Sequence, residues 1–281
     1  MNIVMVSPEA TPFATAGGLG DQVTQLAEDL LAIGHHVTLI LPHHPASLAK
    51  SGLGHLVNSA DSSRLQIRIG TRTVAGSVLR LKPTDSRLDL ILIDQPEYFC
   101  RPHLYQDGAR DHRDNCERFV FFSRAAVEVL KMLELPPDVV HCHDWETGLI
   151  PALLKIEHRQ TRGLIDLATV LSIHDIKFQG QFWHWDMELT GLDWKYFNWR
   201  QMEFFGQLNL LKTGIVFADA ITVATREYAK AIQTPEFSCG LHGVLRQRSE
   251  HLIGISQGSN QFVEVYRHAM RNDAETQLCL R

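Results

Sequence analysis

Three stretches carry the residue types that could do chemistry. Ser7 to Asp21 reads S-P-E-A-T-P-F-A-T-A-G-G-L-G-D, His141 to Trp145 reads H-C-H-D-W, and His174-Asp175 opens a polar run to Gly180. Gly17 and Gly18 let a backbone approach a ligand closely, and the unpaired N–H groups at the start of a following helix attract an anion, phosphate being the natural one. The spacing G-G-x-G is neither the dinucleotide fingerprint nor a P-loop ending in Lys-Ser/Thr, so a tight strand-to-helix turn without a ligand explains it equally well. Asp144 can accept hydrogen bonds from sugar hydroxyls or cap the next helix, and Trp145 can stack on a sugar or fill the core. His174 suits a ligand-binding group, a general acid or base, or a satisfied core histidine.

Two other chemistries fit less well. His141, Cys142, His143 and Asp144 are all good zinc ligands, but on a strand His141 and His143 point to one face and Cys142 to the other, so these neighbours do not surround one ion. There is no G-x-S-x-G elbow and no Cys/His nucleophile arrangement, which leaves acyl transfer unsupported.

The elements that must position these residues alternate. Ile3 to Val6 is a short buried strand, and Val23, Leu26, Ala27, Leu30 and Leu31 follow at helical spacing, with Gly34 as C-cap. His36 to Leu41 is a second strand, residues 43–63 read as a long loop, and Arg64 to Ile69 with Thr71 to Leu81 alternate as a hairpin. Leu88 to Ile93 is a further strand that delivers Asp94 and Phe99 into a loop reaching about Asp114. Helix is expected over Arg118 to Leu133, Thr147 to Ile156, Phe204 to Phe217 and Arg226 to Gln233, with strands at Val139-Val140, Ala168 to Ile173 and Ala220 to Val223. This order predicts an α/β fold: a Rossmann-like, mostly parallel sheet with helices on both faces, whose ligand crevice lies outside the carboxyl ends of the strands.

Composition narrows the partners. The 281 residues carry a formal net charge of −5, with Lys and Arg dispersed, so neither nucleic acid nor an acidic membrane surface is an expected partner. No apolar run reaches the length of a membrane span and the N-terminus lacks a signal-peptide pattern. The five cysteines are widely spaced without C-x-x-C, which argues for reduced thiols and an intracellular setting. The expected location is the cytoplasm, or the plastid stroma in a plant.

In combination the motifs resemble the bacterial glycogen synthases and plant starch synthases, retaining glucosyltransferases of the two-domain GT-B type. The resemblance rests on Ala16 to Asp21 (A-G-G-L-G-D), Asp138 to Gly148 (D-V-V-H-C-H-D-W-E-T-G), Ser172 to Gly180 (S-I-H-D-I-K-F-Q-G), Leu211 to Asp219 and Gln233 to Arg248, in that order. It covers the N-terminal, acceptor-side domain over residues 1–258 and fades after Gly254-Ile255-Ser256-Gln257-Gly258. Residues 259–281 form a divergent tail in which Phe262, Val265, Tyr266, Ala269 and Met270 could make one amphipathic helix covering an apolar surface.

The resemblance implies transfer of glucose from a nucleotide sugar, usually ADP-glucose, to the non-reducing 4-hydroxyl of an α-1,4-glucan with retention, and it implies no metal or redox cofactor. By position His174 matches a histidine that contacts the transferred glucose and Asp144 an aspartate lining the cleft. Gly17, Gly18 and Asp21 match the donor-facing loop, with Thr15 where the family typically has lysine. Trp145, Asp175, Gln179 and Phe99 are expected on the acceptor side or in the cleft, Asp175 standing where the family usually has asparagine. The family's C-terminal nucleotide-binding domain is absent from this sequence, so activity is expected to need a separately supplied half. The alternative is a non-catalytic glucan-binding or regulatory module. An unrelated dinucleotide-binding protein fits poorly, since no acidic residue follows the second strand to hold a ribose.

Overall fold

The computed structural model describes residues 1–58, 60–81, 88–255 and 259–278. Nine strands make one sheet: β1 (Asn2–Val6), β2 (His36–Pro42), β3 (Asp61–Ile69), β4 (Arg72–Leu81), β5 (Leu88–Asp94), β6 (Val139–His143), β7 (Ala168–Ile173), β8 (Ala220–Val223) and β9 (Leu252–Gly254). Their spatial order is β9-β8-β7-β6-β1-β2-β5-β4-β3, and every pair from β9 to β5 is parallel. The β3–β4 hairpin extends one edge in antiparallel fashion.

Side chains alternate across the pleat, which splits the strands between two cores. Val4, Val6, Val140, Cys142, Leu171 and Ile173 face a layer built by the helices Asn115–Lys131, Ile150–Glu157 and Leu210–Phe217. Ile3, Met5, Val139, Ala168 and Val170 face the opposite layer, where Val23, Leu26, Ala27 and Leu30 of the helix Leu19–Ala32 are buried. Burial on both faces explains why these strands read as continuous apolar runs rather than as alternating ones. The C-terminal helix, Ser259–Leu278, joins the second layer through Val263, Val265, Tyr266 and Ala269 and so belongs to the same core. Ser256, Gln257 and Gly258, where the family pattern fades, lie outside the described residues.

The order in which successive strands are added reverses between β1 and β6. The helix after β1 packs on one face and leads outward to β2, while the helix after β6 packs on the other and leads to β7. The loops leaving β1 and β6 therefore part, opening a crevice at their carboxyl ends.

Several boundaries differ from the sequence expectation. Residues 43–63 contain two short helices, Pro45–Lys50 and His55–Asn58, because Pro45 suits a first helical position and Leu48 finds a buried site. The helix expected over Phe204 to Phe217 is a tight hairpin, Glu203–Phe204 with Gln207–Asn209, followed by the helix Leu210–Phe217. Phe205 and Gly206 turn the hairpin at positive φ, 49° and 78°, and Asn209 starts the helix by accepting from the Lys212 N–H at 2.7 Å. Among the described residues no helix is long and apolar enough to cross a membrane.

Candidate active-site cleft

The loops after β1, β6 and β7 enclose a cleft of about 890 Å³. Glu9, Gly17 and Gly18 come from the first loop and Gln22 from the helix that follows it, Asp144, Trp145 and Glu146 from the second loop, and His174, Asp175, Gln179 and Phe182 from the third. Tyr105 and Asn115 close one side.

The glycine loop is shaped by a carboxylate. Glu9, itself buried, accepts from the N–H groups of Ala16 at 2.6 Å and Gly17 at 3.0 Å, and its other oxygen accepts from the Tyr105 hydroxyl at 2.7 Å. An anion would thus meet the next N–H groups, at the start of the helix Leu19–Ala32, which helix geometry leaves without intrahelical partners. Gly17 and Gly18 keep negative-φ backbone, and an added Cβ at either would meet nothing within 4 Å. Their contribution is open space toward the cleft. The packed glycine is Gly20, where a Cβ would lie 2.8 Å from Thr15 Cγ2 and 3.2 Å from the Thr11 nitrogen.

Asp144 leaves β6 at φ 58° and ψ −169°, a region nearly reserved for glycine and costing roughly 1–3 kcal/mol. The turn aims its carboxylate at the end of β7, where Oδ1 accepts from the His174 N–H at 2.8 Å. Burial, with Asp175 and Glu9 nearby, pushes the Asp144 carboxyl up to about 7. Glu146 is also held well above its ordinary value by burial and by Asp144, and its Oε2 has no hydrogen-bond partner.

His174 is held from two sides: Nδ1 lies 3.0 Å from Gln22 Oε1 and Nε2 lies 3.1 Å from His143 Nδ1. The Gln22 carbonyl can only accept, so Nδ1 carries the proton and Nε2 accepts from His143. Burial lowers His174 to about 4 and His143 well below the usual imidazole range, so both are neutral at pH 7. Beneath them His141 connects to Ser172 Oγ at 2.7 Å and to the Tyr266 hydroxyl at 3.0 Å, making it a satisfied core group. The rings of His141 and His143 share a face at 4.2 Å, while Cys142 packs in the opposite core. Among the described residues no three His, Cys, Asp or Glu side chains are grouped to hold a metal.

The cleft thus gathers Gly17, Gly18, Asp144, Trp145, His174, Asp175 and Gln179. Three other expected residues lie elsewhere. Phe99 is fully buried, packed against Phe121, Phe122 and the Arg118 guanidinium, because the short helix Pro96–Phe99 turns the ring inward. Asp21 is exposed and accepts from Thr11 Oγ1 at 2.6 Å, bracing the loop from behind, and Thr15 is exposed outside the cleft lining. Asp175 spends one carboxylate oxygen on the Lys177 N–H at 2.9 Å in a local turn. Glu9, Gln22, Tyr105 and Glu146 were not anticipated. A carboxylate just before the glycine loop was a usable signal for Glu9, whereas nothing local marks Tyr105.

A parallel sheet with a crevice at its switch point defines a Rossmann-like α/β domain. The profile of the starch synthase catalytic domain matches residues 2–247, and the chain belongs to that family. The glycogen synthase of Thermodesulfovibrio yellowstonii is 39% identical over 269 residues, covering 92% of this chain and 54% of its own. That of Opitutus terrae is 37% identical over 258 residues, covering 92% and 53%. The catalytic domain of starch synthase IV from Arabidopsis thaliana, bound to ADP and acarbose, superimposes with a TM-score of 0.75 at 26% identity, over 90% of this chain and 50% of that one. The fold is accordingly one Rossmann-like half of a GT-B architecture, and the chain spans about half the length of the curated relatives it matches.

Proposed function

We propose that this domain forms the acceptor-side wall of a glucosyltransferase that moves glucose from ADP-glucose to the end of an α-1,4-glucan, with retention, in the cytoplasm. One observation carries the reading: a neutral His174, a strained Asp144 and the open Gly17-Gly18 backbone converge on one cleft in a member of the starch synthase family. In this reading the Gly18–Leu19 backbone faces the donor phosphates. The His174 Nδ1–H, now given to Gln22, turns to a hydroxyl of the transferred glucose. Asp144 and Glu146 accept from, or when protonated donate to, sugar hydroxyls. Rate enhancement comes from positioning and from stabilising the departing diphosphate rather than from a metal or redox group. The opposing wall, with its cations for the diphosphate, comes from a second GT-B half.

The test combines the chain with the C-terminal half of a relative, ADP-glucose and glycogen, and follows glucosyl incorporation. Transfer that His174→Ala abolishes is expected; a folded, assembled pair with no transfer overturns the reading. A second reading, glucan binding without catalysis, is favoured by Thr15 and Asp175, which place a neutral group and an anion where the family pattern has lysine and asparagine. Maltooligosaccharide binding by the same inactive pair would select it.

A further inference from the structure

Directly after the cleft, the chain displays aromatic rings that the cleft does not use. Trp183, Trp185 and Trp194 are 62%, 50% and 40% exposed, although indole is normally well covered in a folded domain. They are not scattered. Ring centroids are 6.3 Å apart for Trp183 and Trp185, 5.5 Å for Trp185 and Trp194, and 5.4 Å for Trp194 and Phe197, each pair nearly perpendicular. The His184 ring fills the gap at 5.2 Å and 5.1 Å from the first two indoles. The result is a stepped ladder rather than a flat patch.

The backbone beneath the ladder is tied down. Met187 and Thr190, in the segment between Trp185 and Trp194, are fully buried, and the Arg124 guanidinium donates to the Thr190 carbonyl. Gly191 turns the chain at φ 72°, and Asp193 caps the next turn by accepting from the Lys195 N–H at 2.8 Å. Ordering these rings in advance removes part of the entropy cost of binding.

Two observations select the occupant. The first is continuity: Gln181 and Phe182 line the cleft, Phe182 stands 5.6 Å from Trp145 within it, and Trp183 is the next residue along the chain. A polymer leaving the cleft on this side meets the ladder at once. The second is charge. Lys195 stands 3.9 Å from Asp193 and 5.1 Å over the Tyr196 ring, so the cation beside the ladder is locally balanced. Burial raises the Asp186 carboxyl from its ordinary value. The surface favours a neutral, hydroxyl-rich chain with apolar C–H faces over a polyanion.

We propose that Trp183, Trp185 and Trp194 form an exterior platform on which an α-1,4-glucan rests, its glucose rings stacking on the indoles while its end enters the cleft. This rests on the reading of the cleft as a glucan acceptor site. The platform gathers long glucans and contributes little to short ones, because a short acceptor ends before reaching it.

Maltoheptaose and maltose are titrated into the chain, with binding read by calorimetry and tryptophan fluorescence. Maltoheptaose is expected to bind more tightly than maltose, and Trp185→Ala and Trp183→Ala should each weaken maltoheptaose binding roughly tenfold. Trp185→Phe should recover part of the loss, and circular dichroism confirms folding of each variant. In the pair assembled with a C-terminal half, Trp185→Ala should raise KM for glycogen and leave transfer to maltotriose unchanged. Unchanged maltoheptaose affinity in both folded alanine variants overturns the platform even if transfer is observed. Tryptophan-dependent binding without transfer supports the platform while refuting the catalytic reading of the cleft. Self-association of the chain that Trp185→Ala abolishes, with no glucan binding, assigns the ladder to a second copy and overturns the proposal.

Discussion

Buried carboxylates stand at both edges of the sheet and meet opposite surroundings. At the amino edge Asp219, just before β8, accepts from the Thr169 N–H at 2.8 Å, from Thr169 Oγ1 at 2.7 Å and from the Lys155 ammonium. Asp138, half-buried just before β6, accepts from the Asn2 N–H at 2.8 Å. These bonds tie β8 to β7 and β6 to β1. At the carboxyl edge Asp144 receives a backbone N–H rather than an ammonium, and Glu146 Oε2 and His143 Nε2 are buried without partners. A buried polar group left short of partners costs stability, roughly 1–3 kcal/mol. At the carboxyl edge a ligand can supply the missing bonds, whereas Arg248 Nε, also buried without a partner among the described residues, belongs to a guanidinium that donates to the Ala218 carbonyl at the amino edge. The amino edge holds the strands together, and the carboxyl edge holds capacity in reserve.

Substitutions at the two edges should therefore separate activity from stability. The largest effect is expected for His174→Ala, which should lower glucosyl transfer about 100-fold or more in the assembled protein, measured in single turnovers. Asp219→Ala should do the reverse: urea unfolding should show a loss of about 1–3 kcal/mol, while maltooligosaccharide affinity measured by calorimetry stays unchanged. If Asp219→Ala instead abolished glucan binding in a folded protein, the division between the edges would fail.

A pH series sharpens the same contrast. The Asp144 carboxyl is held at about 7 in the folded protein against an ordinary 3.8, so the folded state binds more protons between those values and is destabilised as pH rises through them. Asp144→Asn removes this penalty, and its thermal stability relative to the parent chain should be greater at pH 7.5 than at pH 4.5. The neutral His174, lowered to about 4 from 6.5, acts oppositely, costing stability as pH falls from 6.5. The smallest effect is expected for Thr15→Lys. An ammonium there would add long-range attraction for a diphosphate and should raise transfer by roughly a few-fold, read as kcat/KM for ADP-glucose. No change would mean that exposed position 15 lies beyond reach of the donor.

Much of this was legible in the chain because it is local. Buried strands announce themselves as apolar runs, so β1, β2, β5, β7 and β8 were readable to within a residue or two. Helical spacing located the Leu19–Ala32 and Asn115–Lys131 helices, and ordered motifs identified the family. The hairpin at Phe205-Gly206 was hidden because its apolar residues satisfy helical periodicity as well as they satisfy a turn, and only Gly206 argued otherwise. Phe99 was misplaced for a related reason: a phenylalanine after a strand reads the same whether its ring faces a cleft or the core.

The sequence by itself determined the alternation of elements, the edge at which His174 and Asp144 gather, and the family. Tertiary structure alone decided which polar groups meet. Glu9 binds Tyr105 across 96 residues of chain and His174 meets Gln22 across 152, contacts that follow from how the two cores set the strand order. Burial is likewise a property of the assembled layers, which is why Asp144 and Asp219, alike as residues beside strand ends, carry different chemistry. Periodicity is a local property that a chain displays along its length, whereas hydrogen-bond partnership and desolvation exist only once distant segments share a volume.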